Sequence, residues 1–164
     1  MASGVKVADR VKGLYNDMKL VKNDADQNER IRIVVFGFID DNIDVEEKYL
    51  EKDLEGKDVF KFYQSLLEPK KCRYILYDCH FETKEASVKE ELVFALWCPD
   101  SARIKEKMNY ASSKEALKKA MPGLKHDLQL NDFADCSTRD IFADKLGKNI
   151  VKLEGHPMHP TGQS

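Results

Sequence analysis

The chain has 164 residues, of which 42% are hydrophobic and 34% charged, with a formal net charge of −2. That length fits one domain, and so much apolar surface supports a real core, which excludes general disorder. The near-cancelling charge gives no reason to expect nucleic acid as the main partner.

Val7, Val11, Leu14, Tyr15 and Met18 recur at helical spacing and predict an amphipathic helix over residues 7–20, followed by a polar loop over 22–29. Ile31, Ile33, Val34, Val35, Phe36 and Phe38 form a dense β-branched and aromatic run, the mark of a buried strand. A shorter strand at 42–46 is expected to pair with it across an Asp40-Asp41 turn. Residues 40–58 hold nine acids against three bases, a net of −6, and read as a solvated loop region. Phe60, Phe62, Tyr63, Leu66 and Leu67 predict a second helix ended near Pro69. Strands are expected at 72–81 and 92–97, with the charged segment 82–91 as the hairpin tip between them. Pro99 and Asp100 open a long helix over 102–121, which Pro122-Gly123 ends. A short strand follows at 126–130. Ser137-Thr138-Arg139-Asp140 has the form of a capping box for a last helix closed by Gly147, and an apolar stretch at 150–153 precedes the polar end. Hairpin strands mixed with crossover helices predict an α/β (α+β) fold with a central mixed sheet flanked by helices on both faces. One domain is expected over 1–153 and a flexible tail over 154–164.

Cys72, Cys79, Cys98 and Cys136 show neither a C-x-x-C pair nor zinc spacing. Cys72 and Cys79 lie an odd number of residues apart in one strand, so their side chains point to opposite faces and cannot bridge. Free thiols in a reducing compartment are expected. The first residues lack the apolar core of a signal peptide, and no apolar run nears the roughly 18 residues of a membrane span. A soluble intracellular protein is therefore expected.

The long helix is the most informative element. Ile104, Met108 and Ala111 follow one stripe, while Tyr110, Leu117 and Met121 follow another almost opposite to it. Arg103, Lys105, Lys107, Lys114, Lys118 and Lys119 face only Glu106 and Glu115, a net of +4, and buried lysines without partners would cost several kcal/mol each. One face must then be exposed. Pattern alone leaves two readings open: an interface for an acidic protein surface, or a solvated helix whose lysine stems cover apolar surface.

Several strings then resemble the ADF/cofilin family. They are Met1-Ala2-Ser3-Gly4-Val5, Lys71-Cys72-Arg73-Tyr74-Ile75-Leu76-Tyr77-Asp78, and Glu91-Leu92-Val93-Phe94-Ala95-Leu96-Trp97. The most specific is Lys105-Glu106-Lys107-Met108-Asn109-Tyr110-Ala111-Ser112-Ser113-Lys114, and Leu146-Gly147 and Leu153-Glu154-Gly155 complete the set. The resemblance implies a single ADF-homology domain that binds actin monomers and filaments, favours ADP-bound subunits, and severs and depolymerises filaments, with no cofactor and no catalysis. It carries the monomer and filament contact onto Ser3, Gly4, Lys105, Lys107, Met108, Lys118 and Lys119. A filament-only contact falls on Lys84, Lys89 and Arg139.

Regulation also comes with the resemblance. Ser3 is the phosphorylation site, served by a kinase and a phosphatase, and a phosphate adds about −1.5 to −2 charge there. Phosphatidylinositol bisphosphate is expected on Lys105, Lys118, Lys119, Lys125 and His126. A His126–Glu91 pair is expected to couple activity to pH. A monomer at the cytoplasmic cytoskeleton is implied. The basic run that serves nuclear import in vertebrate cofilins is replaced by the dilute Asn28-Glu29-Arg30-Ile31-Arg32, so import by that route is not expected. His156 and His159 have metal-ligand spacing, but two ligands in a tail do not make a site. The rivals are a family member that binds the actin-branching complex, against which the 105–114 string argues, and a small cytosolic enzyme. For the enzyme no phosphate-cradling glycine motif, nucleophile elbow or H-E-x-x-H is present.

Overall fold

The computed structural model describes residues 5–20, 27–147 and 149–157. In chain order the elements are α1 (Asp9–Lys19), β1 (Ile31–Ile39), β2 (Asn42–Leu50), α2 (Val59–Ser65), β3 (Arg73–Thr83) and β4 (Val88–Trp97). There follow α3 (Ile104–Lys119), β5 (His126–Leu130), α4 (Arg139–Leu146), β6 (Ile150–Leu153) and β7 (His156–Pro157). The sheet order is β2-β1-β3-β4-β5, antiparallel except where α3 carries the chain from β4 to its parallel neighbour β5. β6 pairs with the far end of β3, and β7 folds back on β6.

β1, β3 and β4 bury both faces, which is why their sequences are almost continuously apolar. Ile33, Val35, Ile75, Tyr77, Val93 and Ala95 pack under α2 and α4, and the alternate residues Val34, Phe36, Tyr74, Leu76, Phe94 and Leu96 pack under α1 and α3. Cys79 joins the first layer and Cys72 the second, as their odd spacing requires, and all four cysteines are free and buried.

The acidic stretch 40–58 is not a solvated loop. Asp40 and Asp41 both take left-handed backbone (φ 52° and 67°) and close a two-residue hairpin, after which β2 runs on to Leu50. Its carboxylates are then used one by one. Asp44 grips Arg10 at 2.6 and 2.7 Å, Glu47 pairs with Arg73 at 3.1 Å, Glu51 with Arg32 at 3.1 Å, and Asp58 with Arg139. A count of local charge cannot see arginines that arrive from distant segments.

Three boundaries also move. β3 and β4 absorb most of residues 82–91, leaving a turn in which Ala86 is left-handed (φ 62°). The last helix is capped by Thr138, whose hydroxyl accepts from the Ile141 N–H at 3.2 Å; Ser137 lies one residue too early, and Gly147 is extended. The folded chain continues past Leu153, because Glu154 (φ 52°) and Gly155 (φ 81°) turn it into β7.

That last turn delivers a carboxylate to a buried cation. Arg32 is only 2% exposed, and its Nη2 donates to both oxygens of Glu154, itself 6% exposed, at 2.6 and 2.7 Å. Its Nε donates to the Asp78 carbonyl at 3.1 Å, and the Tyr77 hydroxyl donates to Glu154 at 2.5 Å. Burial alone would lower the Arg32 pKa, but Glu154 more than offsets it and keeps the guanidinium charged. Glu154→Ala removes the buried partner of that charge, leaves it only the more exposed Glu51, and should cost about 3–5 kcal/mol in urea unfolding. Arg32→Met with Glu154→Leu should recover most of the loss, and an unshifted midpoint for Glu154→Ala would contradict the buried pair.

Candidate partner-binding surface

α3 is held to the sheet by specific bonds rather than by a capping side chain, since Arg103 at its start is extended and caps nothing. The Glu106 carboxylate accepts from the Cys72 N–H at 2.6 Å, and the Tyr74 hydroxyl donates to the Tyr110 carbonyl at 2.5 Å. Tyr110, Ser113 and Leu117, then Met121, are buried against the sheet. On the other side Ile104 is 73% exposed and Met108 66%. Met108 therefore caps no core; it stands one helical turn from Ile104 as a bare apolar stripe.

The cations around that stripe fall into two groups. Lys105 and Lys119 are exposed, and Lys107 is half-buried with its ammonium 3.2 Å from the Asp100 carbonyl. Lys118 instead turns to the sheet edge, 2.6 Å from Asp127, where Lys114 also lies at 3.0 Å. The bond to Asp127 raises the Lys118 pKa; burial would raise that of Asp127, but the two lysines hold it below its usual 3.8. Ser3 and Gly4 lie outside the described residues.

Arg103 and Ile104 are surface residues that the expected contact set leaves out. Five of the six arginines pair with carboxylates; Arg103 is exposed and, among the described residues, has no acidic partner. The signal for Ile104 was its place on the Met108 stripe. Beside them a groove of about 820 Å³ is lined by Phe38, Glu46, Lys71, Arg103, Met108 and Tyr110, with Phe38 and Tyr110 meeting edge-on at 5.0 Å.

The remaining expected residues do not form one patch. Lys84 and Lys89 are exposed at the β3–β4 hairpin, where Val88 is also bare, and the Lys84 N–H is held by the Asn149 carbonyl at 2.8 Å. Arg139 points inward: its side chain is 11% exposed, pairs with Asp58 and lies 5.2 Å over the Phe60 ring. It braces α4 against α2. His126 and Glu91 are brought together at 2.8 Å, with Lys125 on the same carboxylate at 3.1 Å. Burial would raise the Glu91 pKa, yet those two bonds hold it below 4.5. His156 lies 3.8 Å from Asp58, and His159 is outside the described residues.

The two faces of α3 should separate cleanly in unfolding measurements. Leu117→Ala should cost about 2–5 kcal/mol, whereas Met108→Ala should change stability by no more than about 0.5 kcal/mol. A large loss for Met108→Ala would mean that its side chain is packed.

A helix pinned on one face and left apolar and basic on the other has the form of a protein-docking surface. Residues 4–147 match the family described as cofilin/tropomyosin-type actin-binding protein, and the chain belongs to that family. Its fold is that of the ADF-homology domain. The crystal structure of cofilin from Streptomyces griseoflavus is similar at 28% identity and a TM-score of 0.70, over 87% of this chain and 98% of that one. Actin depolymerization factor 2 of Plasmodium berghei is similar at 28% identity and a TM-score of 0.72, over 89% and 99%. Coactosin from Entamoeba histolytica, at 20% identity and a TM-score of 0.66 over 89% and 96%, shares the fold.

Proposed function

We propose that this protein binds actin monomers and, side-on, filaments, favours ADP-bound subunits, and severs and depolymerises filaments. The observation that carries the reading is the free face of α3, where Ile104 and Met108 stand bare between Arg103, Lys105, Lys107 and Lys119. Such a centre and rim suit a partner with an apolar cleft and acidic edges. Met108 is the anchor, and the lysines set register. Lys118 contributes through the field of the helix, because its ammonium is already engaged. A second, filament-only contact uses Lys84 and Lys89, with Arg139 acting from behind as a brace.

Severing on this reading breaks no covalent bond in the filament. A protein that fits a twisted filament better than a relaxed one shifts the filament toward that twist, and the boundary between decorated and bare stretches becomes weak. Phosphorylation of Ser3 by a kinase sets charge of about −1.5 to −2 beside an acidic partner, and a phosphatase reverses it. The His126–Glu91 pair couples binding to pH, and phosphatidylinositol bisphosphate competes through Lys105, Lys119, Lys125 and their neighbours. The protein acts as a monomeric domain at the cytoplasmic cytoskeleton, with the end of the chain as a tail.

Pelleting with bare actin filaments tests the reading and separates it from a preference for the branching complex, which is absent from that assay. Lys105→Ala/Lys107→Ala should weaken co-sedimentation at least about tenfold, or about 1.4 kcal/mol, with an unchanged melting point. Undiminished pelleting would overturn the assignment of α3. Ser3→Glu should likewise lose most filament binding while melting normally; retention of binding would remove Ser3 as a switch.

A further inference from the structure

We propose that Cys72 and Cys98 are a redox modification site, forming a reversible cross-strand disulfide with hydrogen peroxide, and that its closure resets the first turns of α3. The consequence for partner binding rests on the function proposed above; the disulfide itself does not.

The backbone supplies the geometry. The last ladder pair of β3 and β4 at this end is Arg73↔Trp97, so Cys72 and Cys98 stand directly opposite one another one step further on. Neither amide is spent on the other strand's thiol residue: the Cys98 N–H donates to the Leu130 carbonyl at 2.8 Å and the Cys72 N–H to Glu106. They form a pair without mutual backbone hydrogen bonds, in which Cα atoms sit about 4.5 Å apart, inside the range of about 4.4–6.8 Å that a disulfide accepts. The two sulfurs are already 3.7 Å apart, with the Cys72 thiol donating to Cys98. Cys79 and Cys136 lie across the sheet in the opposite layer.

The order of reaction follows from burial. Cys72 is 1% exposed and Cys98 9%, so a small neutral oxidant meets Cys98 first. Burial, followed by the hydrogen bond to Cys98, pushes the Cys72 thiol well above its usual range, which suits it to the second step and not the first. The Cys98 sulfur, as thiolate, attacks one peroxide oxygen; the S–O bond forms, the O–O bond breaks, and the leaving hydroxide takes a proton to become water. Cys72 then attacks the sulfenic sulfur; the S–S bond forms, the S–O bond breaks, and hydroxide leaves with the Cys72 proton as a second water. Two thiols and one peroxide thus give one disulfide and two waters, and a dithiol reductant reverses the change.

Closure has a direct route to the docking surface. The sulfurs must draw in from 3.7 Å to about 2.05 Å, and the backbone of Cys72 is the donor that anchors Glu106 in the first turn of α3. Ala102 and Tyr110 pack in the same layer as both thiols, so the movement is transmitted to the residues flanking Lys105 and Met108.

The test uses the full chain. Reduced protein is exposed to hydrogen peroxide while folded, then unfolded, alkylated and mapped by mass spectrometry. The expected product links Cys72 to Cys98, leaves Cys79 and Cys136 alkylated, and disappears on treatment with dithiothreitol. Amide exchange over the first turns of α3 should quicken several-fold in the oxidised form and recover on reduction. Four free thiols, a link to Cys79 or Cys136, or sulfinic acid at Cys98 as the main product would overturn the site; a correct link with unchanged exchange would overturn the coupling. Cys98→Ser should leave Cys72, Cys79 and Cys136 all alkylated after peroxide, and a disulfide from Cys72 to either of the other two in that variant would overturn the pairing. Pelleting of the oxidised form with actin filaments then reports on the docking surface separately.

Discussion

The constraint on which the architecture depends is that β1, β3 and β4 bury both faces, so each face must be covered by helices whose apolar stripes fit it. α3 meets that demand with Tyr110, Ser113, Leu117 and Met121, and the Tyr74 hydroxyl fixes its rotation about its own axis. Rotation is the important variable. With one face committed, the opposite face is set in direction, and Ile104 and Met108 stand where they cannot turn inward. Leaving two such side chains in water forgoes about 1.5–3 kcal/mol each, which a partner that covers them recovers.

Basic residues divide by type. Arg30, Arg32, Arg73 and Arg139 are spent inside the molecule as braces between elements distant in sequence, Arg10 ties α1 to β2 from the surface, and the lysines with Arg103 supply the remaining charge at the surface. The guanidinium suits the inner role because its planar fork pairs with carboxylates in fixed geometry, while a lysine stem can lie along apolar surface with its charge in water. Arg30 joins Asp78 at 2.8 Å to Glu90 at 2.9 Å on the α1 side of the sheet, as Arg32 joins Glu154 on the other. The acids of residues 40–58 that meet arginines do so across long stretches of chain, so a locally acidic segment neutralises distant arginines while the free face of α3 stays basic.

Legibility in the sequence followed the range of the interaction. Strand parity placed Cys72 and Cys79 in opposite layers, and the double stripe on the long helix required one bare face, because both depend only on spacing within one element; that the bare face is the Met108 side came with the string resemblance. The string resemblance brought His126 and Glu91 together across β4 and β5. The role of residues 40–58, the inward turn of Arg139 and the Glu154 clamp were not legible: each depends on a pairing partner between 19 and 122 positions away. The misplaced cap had a different cause. Ser137 and Thr138 are both competent caps, and only the backbone direction after the preceding turn selects Thr138.

The two exposed surfaces lie at opposite ends of the same pair of strands. β3 and β4 stay in unbroken register from Arg73↔Trp97, beside the start of α3, to Glu82↔Val88, at the hairpin that carries Lys84 and Lys89. A ladder of that length spans about 30 Å. Its hairpin end is stiffened by β6 on β3 and by the Arg30 and Arg32 clusters on either face. A domain so braced keeps the spacing between its two surfaces. On the proposed function, two filament contacts that do not match this spacing must be accommodated by the filament, and the differential affinity that changes its twist arises from the stiffness of a ladder that does not bend.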